Sequence, residues 1–334
     1  MNIGLIGATG YAGIELVKLL DKHPVFKLRA IGSRSYENTP YASLTGYPFK
    51  ESYTLIGLDA FENLLPELDL VFLSLPHGTS MDWVKKVNDA GIPVIDLSGD
   101  FRLEDVALYE EWYQCSHTAS GLLGQSTYGL CETITQMHNI IANPGCYPTA
   151  SLLGLLPLAH NHLLSDKTII IDAKSGMSGA GKKLTASTLY CESNESMRPY
   201  GTGMHRHTPE IETMLSKYGS TNTKILFSPS VVPMERGILA SIYIQMDGSL
   251  SLSAIYDLYL AFYKNKPFVR LIDKMPETKW VKGTNYCDIH LVMDDRTNTL
   301  VIHSVIDNLI KGASGQAIQN ANLLFELDET LGLL

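Results

Sequence analysis

The stretch "GLIGATGYAG" (residues 4–13) decides how the first half of this 334-residue chain is read. Residues 2–7, "NIGLIG", form an apolar run that reads as a buried strand. Residues 11–22 carry helical spacing, with Ile14, Val17, Leu19 and Leu20 as the apolar positions. Between strand and helix, Gly7, Gly10 and Gly13 follow a G-x-x-G-x-x-G spacing, one residue longer than the usual dinucleotide fingerprint. The physics is shared. Glycines let the backbone approach a pyrophosphate, and the helix start offers N–H groups and the positive end of the dipole. A glycine pattern alone reads equally as a tight turn; between a strand and a helix it predicts a dinucleotide site.

Working outward, "KLRAIGS" (27–33), "LDLVFLSLP" (68–76), "IPVIDLS" (92–98) and "NIIANPG" (139–145) read as further strands, and "SMDWVKKVNDAG" (80–91) as a helix between two of them. Alternation of this kind predicts an α/β domain with a Rossmann-type, doubly wound parallel sheet. The second strand ends "AIGSRS", so Ser33, Arg34 and Ser35 stand where an NAD site usually has an acid for the ribose 2′-hydroxyl. A guanidinium with two hydroxyls suits a 2′-phosphate, and NADP is the expected cofactor. Short-chain dehydrogenases also open with a glycine turn, but they work with a Tyr-x-x-x-Lys pair, and no tyrosine here has a lysine four positions on.

After Cys146 the pattern changes. A helix is expected over 148–163 and a strand over 168–173, followed by a glycine-rich turn. Strands at 224–232, 237–246, 285–294 and 299–307 then follow without predicted helices between them, and a last helix covers 312–327. This predicts an α+β second domain with a mixed sheet and a boundary near residue 145.

Hydrophobic residues make up 45% and charged residues 18%, as in ordinary globular proteins, and the formal net charge is −9. That balance argues against nucleic-acid or anionic-membrane partners. The five cysteines form no C-x-x-C pair, so neither a disulfide scaffold nor a structural metal site is expected. No apolar run is long enough to span a membrane, and the N-terminus lacks the basic start of a secretory leader. A cytoplasmic location is the expectation.

Three further stretches carry chemistry. In "NPGCYPTA" (143–150), Cys146 follows a predicted strand where a helix begins, with Pro148 suited to the first turn. A thiol there feels the helix dipole, which favours the thiolate, and nearby N–H groups could hold an oxyanion. The competing reading is a small buried cysteine. In "GMHRHTPEIE" (203–212), His205 and His207 precede Thr208, a suitable N-cap, and Pro209, a suitable first helical residue. One of the two histidines is a candidate proton partner for the thiol. "SGMSGAGKK" (175–183) nearly fits a phosphate loop, but Lys183 stands where magnesium would need Ser or Thr. It reads as a flexible turn or as a glycine nest for an anionic group.

Eight blocks, "GATGYAG", "SLPHG" (74–78), "DLSGDFR" (96–102), "YGLCE" (128–132), "NPGCYPT", "SGMSGAGK", "HRHTPEI" and "NLIKGASGQAIQN" (308–320), occur in this order over essentially the whole chain. Together they resemble the N-acetyl-gamma-glutamyl-phosphate reductase family of the semialdehyde dehydrogenase group. The resemblance implies NADPH-dependent reduction of an acyl phosphate through a cysteine thioester, in arginine biosynthesis, by a homodimer or homotetramer. It implies Cys146 as nucleophile and His205 or His207 as acid/base, with Glu210 able to orient either. Around the cofactor it implies Thr9, Tyr11 and Ala12 beside the three glycines, Ser74, Pro76 and His77, and Ser178 and Gly179. It also implies that the chain returns to the first domain from 308 onward, so that Asn308, Lys311 and Gly312 join them. Arg102, Lys182 and Arg206 are candidates for the substrate's phosphate or carboxylate; Arg102 reads equally as an ion-pair partner of Asp100 or Glu104. No metal is implied. Related acyl-phosphate reductases, acting on aspartyl phosphate or on a carrier-bound aminoadipyl phosphate, share the thiol and hydride steps. A non-catalytic NADP-binding regulator would keep only the glycine turn.

Overall fold

The computed structural model describes all 334 residues. Two compact units emerge, Met1–Gly145 with Ala313–Leu334, and Cys146–Gly312. The chain thus rejoins the first unit at Ala313, where the sequence reading places the return at 308.

The first unit is built on a six-stranded sheet ordered β2-β1-β3-β4-β6-β5. Its strands are β1 (Asn2–Ile6), β2 (Lys27–Gly32), β3 (Leu70–Leu73), β4 (Val94–Asp96), β5 (Ser126–Tyr128) and β6 (Ile140–Ala142). Every neighbouring pair is parallel. Such a sheet must be buried on both faces. β3 shows how: Leu70 and Phe72 join the core that includes Leu16, Val17, Ala317 and Ile318, while Val71 and Leu73 join the one that includes Phe61, Trp83, Val84 and Tyr109. The helix Gly315–Leu324 therefore covers one face together with Tyr11–Leu20. β5 was not expected from sequence. Its three residues, "STY", are too few to show a period, and they pair at the sheet edge with β6.

β1 lies between β2 and β3, so the strand order reverses there, and the crevice beyond their carboxyl ends is the usual ligand position in such sheets. Gly7 leaves β1 into that crevice with φ +91°, and a Cβ on it would lie 2.2 Å from the Ser74 carbonyl oxygen. A Cβ on Gly13 would lie 2.3 Å from the Gly7 carbonyl oxygen. The first glycine serves a left-handed turn and the last a close approach of helix to strand, which no side chain permits.

The second unit carries a seven-stranded mixed sheet ordered β11-β12-β13-β10-β7-β9-β8. Its strands are β7 (Thr168–Gly176), β8 (Arg198–Pro199), β9 (Lys224–Val232), β10 (Ile238–Gln245), β11 (Val269–Leu271), β12 (Cys287–Asp294) and β13 (Thr299–Ile306). The pairs β7–β9 and β11–β12 are parallel and the rest antiparallel. The helix Cys146–His160 is buried on all sides, from Tyr147 to Ala159. It packs on β10 and β13 and against the helices His207–Lys217 and Leu252–Tyr263. Gly154 permits the close approach to the sheet, because a Cβ there would meet the Ile242 side chain at 2.9 Å. The sequence reading misses Leu252–Tyr263. That segment is rich in aromatics, which suit strands as well, yet Ile255, Tyr259 and Tyr263 fall on one helical face and Ser251 caps the start through the Ala254 amide. The Tyr259 and Tyr263 hydroxyls donate to the carbonyls of Gly154 and Leu153, locking this helix to the buried one.

Candidate active site

Cys146 is the first residue of its helix, half-buried, and it lines a cleft of about 590 Å³ within the second unit. The first residue of a helix lies at the positive end of its dipole, the environment that favours a thiolate. Gly312 explains the fit of the nucleophile, since a Cβ on it would lie 2.9 Å from the Cys146 Cβ and 3.3 Å from its Cα.

His205, Arg206 and His207 line the same cleft. The helix start differs from the expected one. His207, not Pro209, is the first helical residue, and Arg206 holds the cap position. Thr208 does not cap, and its hydroxyl is buried without a hydrogen-bond partner. The imidazole of His205 substitutes for it: the His207 amide donates to His205 Nδ1 at 3.2 Å. That bond takes up one of the orphan amides of the first turn. With Nδ1 accepting, the neutral ring carries its proton on Nε2, the nitrogen left for the cleft.

Aromatic rings surround His205. Tyr147, Tyr200, His207 and Phe227 lie with ring centroids 6.0, 5.5, 4.7 and 5.3 Å away. Burial among them, and then the neighbouring Arg206 charge, hold its pKa down to about 4. His207 is more deeply placed, 3.9 Å from the fully buried Glu210 carboxylate. Glu210 thus adjoins His207 rather than His205. The Tyr200 hydroxyl donates to that of Tyr147, tying the wall of the cleft to the residue after the nucleophile.

The other expected site residues are distributed as follows. Gly10 ends the glycine turn as the N-cap of Tyr11–Leu20, and the carbonyls of Ala8 and Ala12 are held by the hydroxyls of Tyr41 and Ser314. Thr9 lies in the turn and Tyr11 is exposed at the helix start. The Ser33 hydroxyl accepts from the amides of Ser35 and Tyr36, shaping the turn that leaves the Arg34 side chain exposed. The Ser74 amide continues the sheet by donating to the Ile6 carbonyl. Ser178, Gly179, Asn308, Lys311 and Gly312 belong to the second unit. There Asn308 accepts from the Gly237 amide and donates to the Ser178 hydroxyl, and a Cβ on Gly179 would meet the Ser175 hydroxyl at 2.8 Å. Lys311 is fully buried, its ammonium 5.7 Å from the centre of the Phe268 ring. Lys183, rather than Lys182, is the lysine of the glycine-rich turn that lines the cleft. Arg102 is buried in the first unit and donates to the backbone carbonyls of Leu97 and Asn143.

Two family models match the chain: the NAD binding domain of semialdehyde dehydrogenases over residues 2–139, and the semialdehyde dehydrogenase dimerisation domain over residues 146–308. N-acetyl-gamma-glutamyl-phosphate reductases from Desulforudis audaxviator and Clostridium novyi are 45% and 43% identical to it, each over 100% of this chain and 98% of the relative. The chain belongs to the N-acetyl-gamma-glutamyl-phosphate reductase family. Its fold is also that of aspartate semialdehyde dehydrogenase II from Vibrio cholerae (TM-score 0.74, 17% identity, covering 97% of this chain and 98% of that one). The aspartate semialdehyde dehydrogenase with NADP from Candida albicans is similar too (TM-score 0.70, 17% identity, covering 97% and 98%).

In the "DLSGDFR" block the sequence names Asp100 only as a possible partner of Arg102, and the structure shows what else it holds. The buried Asp100 carboxylate accepts from the amides of Gly78 and Ser80 and from the hydroxyls of Ser80 and Tyr109. His77 Nδ1 accepts from the Gly99 amide at 2.6 Å. Bonds to a charged acceptor are each worth about 1.5–3 kcal/mol, so the loop after β3 is pinned where it borders the crevice. Asp96, buried beside it, has its pKa raised to about 6 by desolvation and then by the Asp100 charge. The ring wall of Tyr147, Tyr200 and Phe227 was missed as well; only the adjacency of Tyr147 to Cys146 could have signalled it.

Proposed function

We propose that this chain performs the reaction its family is named for, reducing N-acetyl-L-glutamyl 5-phosphate to the 5-semialdehyde with release of phosphate. The observation that carries this is the shared cleft of Cys146, at a helix start, and His205, a neutral ring with Nε2–H left for substrate. The Cys146 thiolate attacks the acyl carbon and phosphate leaves, forming a thioester. The His205 Nε2–H donates to the oxygen that gains charge, and Arg206 balances the departing phosphate. The left-handed turn at Gly7 and the close approach of helix to strand at Gly13 bring the amides opening Tyr11–Leu20 to the end of β1, which fits a bound dinucleotide pyrophosphate. Gly7, Gly10, Gly13 and the amides opening the helix Tyr11–Leu20 would hold that group, with Arg34 at the ribose phosphate, which makes NADPH the preferred form. When bound, NADPH supplies the hydride that reduces the thioester. Collapse of the resulting thiohemiacetal anion releases the aldehyde and returns the Cys146 thiolate.

The test is the reverse reaction. Reduction of NADP⁺ by N-acetylglutamate 5-semialdehyde requires phosphate and is slower with NAD⁺. Reduction that ignores phosphate, or a preference for aspartate semialdehyde, overturns the proposal.

We infer in addition that two copies pair through the face of the mixed sheet opposite its helices, since the matching family model is a dimerisation domain. On that face Ile170 and Leu226 are paired across strands and 43% and 44% exposed, with half-buried Tyr243 and Val301 nearby. Ile170→Asp would place a charge in the interface and is expected to convert the dimer to a monomer in sedimentation, with the circular dichroism spectrum kept. A variant that sediments like the parent rules this face out. No helix is long and apolar enough to cross a membrane.

A further inference from the structure

We propose that Arg198 is the substrate-specificity residue of the cleft, receiving the α-carboxylate of the acyl phosphate while Arg206 serves the phosphate; this rests on the reductase reading above. The cleft that contains Cys146 is lined by Lys183, Arg198 and Arg206 and by no Asp or Glu. A lining with cations alone suits a ligand with more than one anionic group. The substrate has two: the phosphate, one oxygen from the reacting carbon, and the carboxylate, separated from that carbon by three others.

The two arginines are not equivalent. Arg206 adjoins His205 in the chain, and its charge acts on both His205 and Tyr200. Arg206 thus belongs beside the reacting centre by its place next to His205, and Arg198, on the edge strand β8, is left for the more distant group. Its backbone is fixed for that task. Arg198 lies on β8 opposite Val231 of β9, itself a cleft residue. Next along the chain, the Tyr200 amide donates to the Pro229 carbonyl, and its hydroxyl reaches Tyr147, the neighbour of the nucleophile. The distance from Arg198 to the thiol is thus set by a strand pair and a hydrogen bond rather than by a free loop.

The Arg198 side chain is exposed, and one of its guanidinium nitrogens donates a long bond of 3.4 Å to the Ser187 carbonyl. Ser187 and Thr188 line the cleft, in a turn closed by reciprocal bonds between Thr185 and Thr188. A guanidinium held by one nitrogen keeps further N–H groups for a carboxylate, which it can bind with two parallel bonds. The Thr185 and Thr188 hydroxyls beside it can meet the amide attached to the same carbon. Lys183 has no such fork and supplies charge without direction.

The experiment compares two aldehydes in the reverse reaction, N-acetylglutamate 5-semialdehyde and its α-carboxamide. The parent enzyme is expected to favour the carboxylate by about 10–100-fold in kcat/KM. Arg198→Gln is expected to raise KM for the carboxylate aldehyde by that factor, leaving KM for phosphate and the rate with the carboxamide unchanged, while Arg198→Lys restores part of the preference. Arg198→Gln that keeps the full preference, or that loses activity equally on both aldehydes, overturns the assignment. A parent enzyme that turns over neither aldehyde refutes the reductase reading instead, and is told apart by needing no variant.

Discussion

Replacing Cys146 by serine is expected to lower the phosphate-dependent reduction of NADP⁺ by about 10³-fold or more while leaving dinucleotide binding intact. A hydroxyl is smaller than a thiol and fits the same position against Gly312, so packing is preserved. What is lost is the anion. Amides and dipole at the start of Cys146–His160 favour a thiolate near neutral pH, whereas a serine hydroxyl remains protonated there. The first half-reaction separates chemistry from folding. Mixed with the acyl phosphate and no dinucleotide, the parent chain should release about one equivalent of phosphate and gain the mass of the acyl group. Cys146→Ser should do neither, yet should bind NADP⁺ with unchanged affinity by fluorescence titration. Full turnover by the serine variant would sink the nucleophile assignment.

The parts of this molecule that were legible in sequence are those where backbone geometry dictates residue type. Gly7 and Gly13 are irreplaceable for reasons of a few ångströms, so their spacing announces the turn. Cys146 stood out because its strand-to-helix position is a local property. Residues whose role depends on distant elements were not legible. Tyr147, Tyr200 and Phe227 come from a helix, the residue after the edge strand β8 and the neighbouring strand β9, and nothing in their local sequence says that they enclose one histidine. Arg102 reads two ways in sequence, as a ligand residue or as an ion-pair partner, and the sequence does not say that its buried guanidinium donates to the carbonyls of Leu97 and Asn143. The shift of the helix start from Pro209 to His207 has the same origin, because propensity favours Thr208 as a cap, while the fold supplies an imidazole instead. Periodicity likewise found the long strands of the second unit and failed on β5 and on Leu252–Tyr263, where length and aromatic content remove the signal.

His205→Asn is expected to lower kcat/KM by about 10²–10³-fold, the usual worth of one positioned hydrogen-bond donor to a developing oxyanion. It should also remove a pH dependence that the parent shows. In the folded chain burial, and then Arg206, bring the His205 pKa down to about 4, against about 6.5 for a free histidine. Between those values the unfolded chain holds the extra proton and the folded chain does not. Folding stability therefore falls as pH drops from about 6.5 to about 4, and this group contributes nothing to the slope above that window. Protonation also sets an Nδ1–H against the His207 amide that now donates to it, so the loop that carries His205 loses its anchor when the ring is charged. Activity and stability should accordingly decline together toward pH 4 in the parent, measured by pH–rate profiles and urea unfolding at pH 5 and 7.5. Asparagine keeps a side-chain oxygen able to accept from the same amide, so His205→Asn should retain the helix start and show a shallower loss of stability over that range. Arg206→Gln, which removes the smaller of the two depressing influences, should move the acid limb upward from about 4 without carrying it to the free-histidine value. An acid limb already at about 6.5 in the parent, unmoved by Arg206→Gln, would show that the ring is neither buried nor neutralised as its aromatic surroundings require.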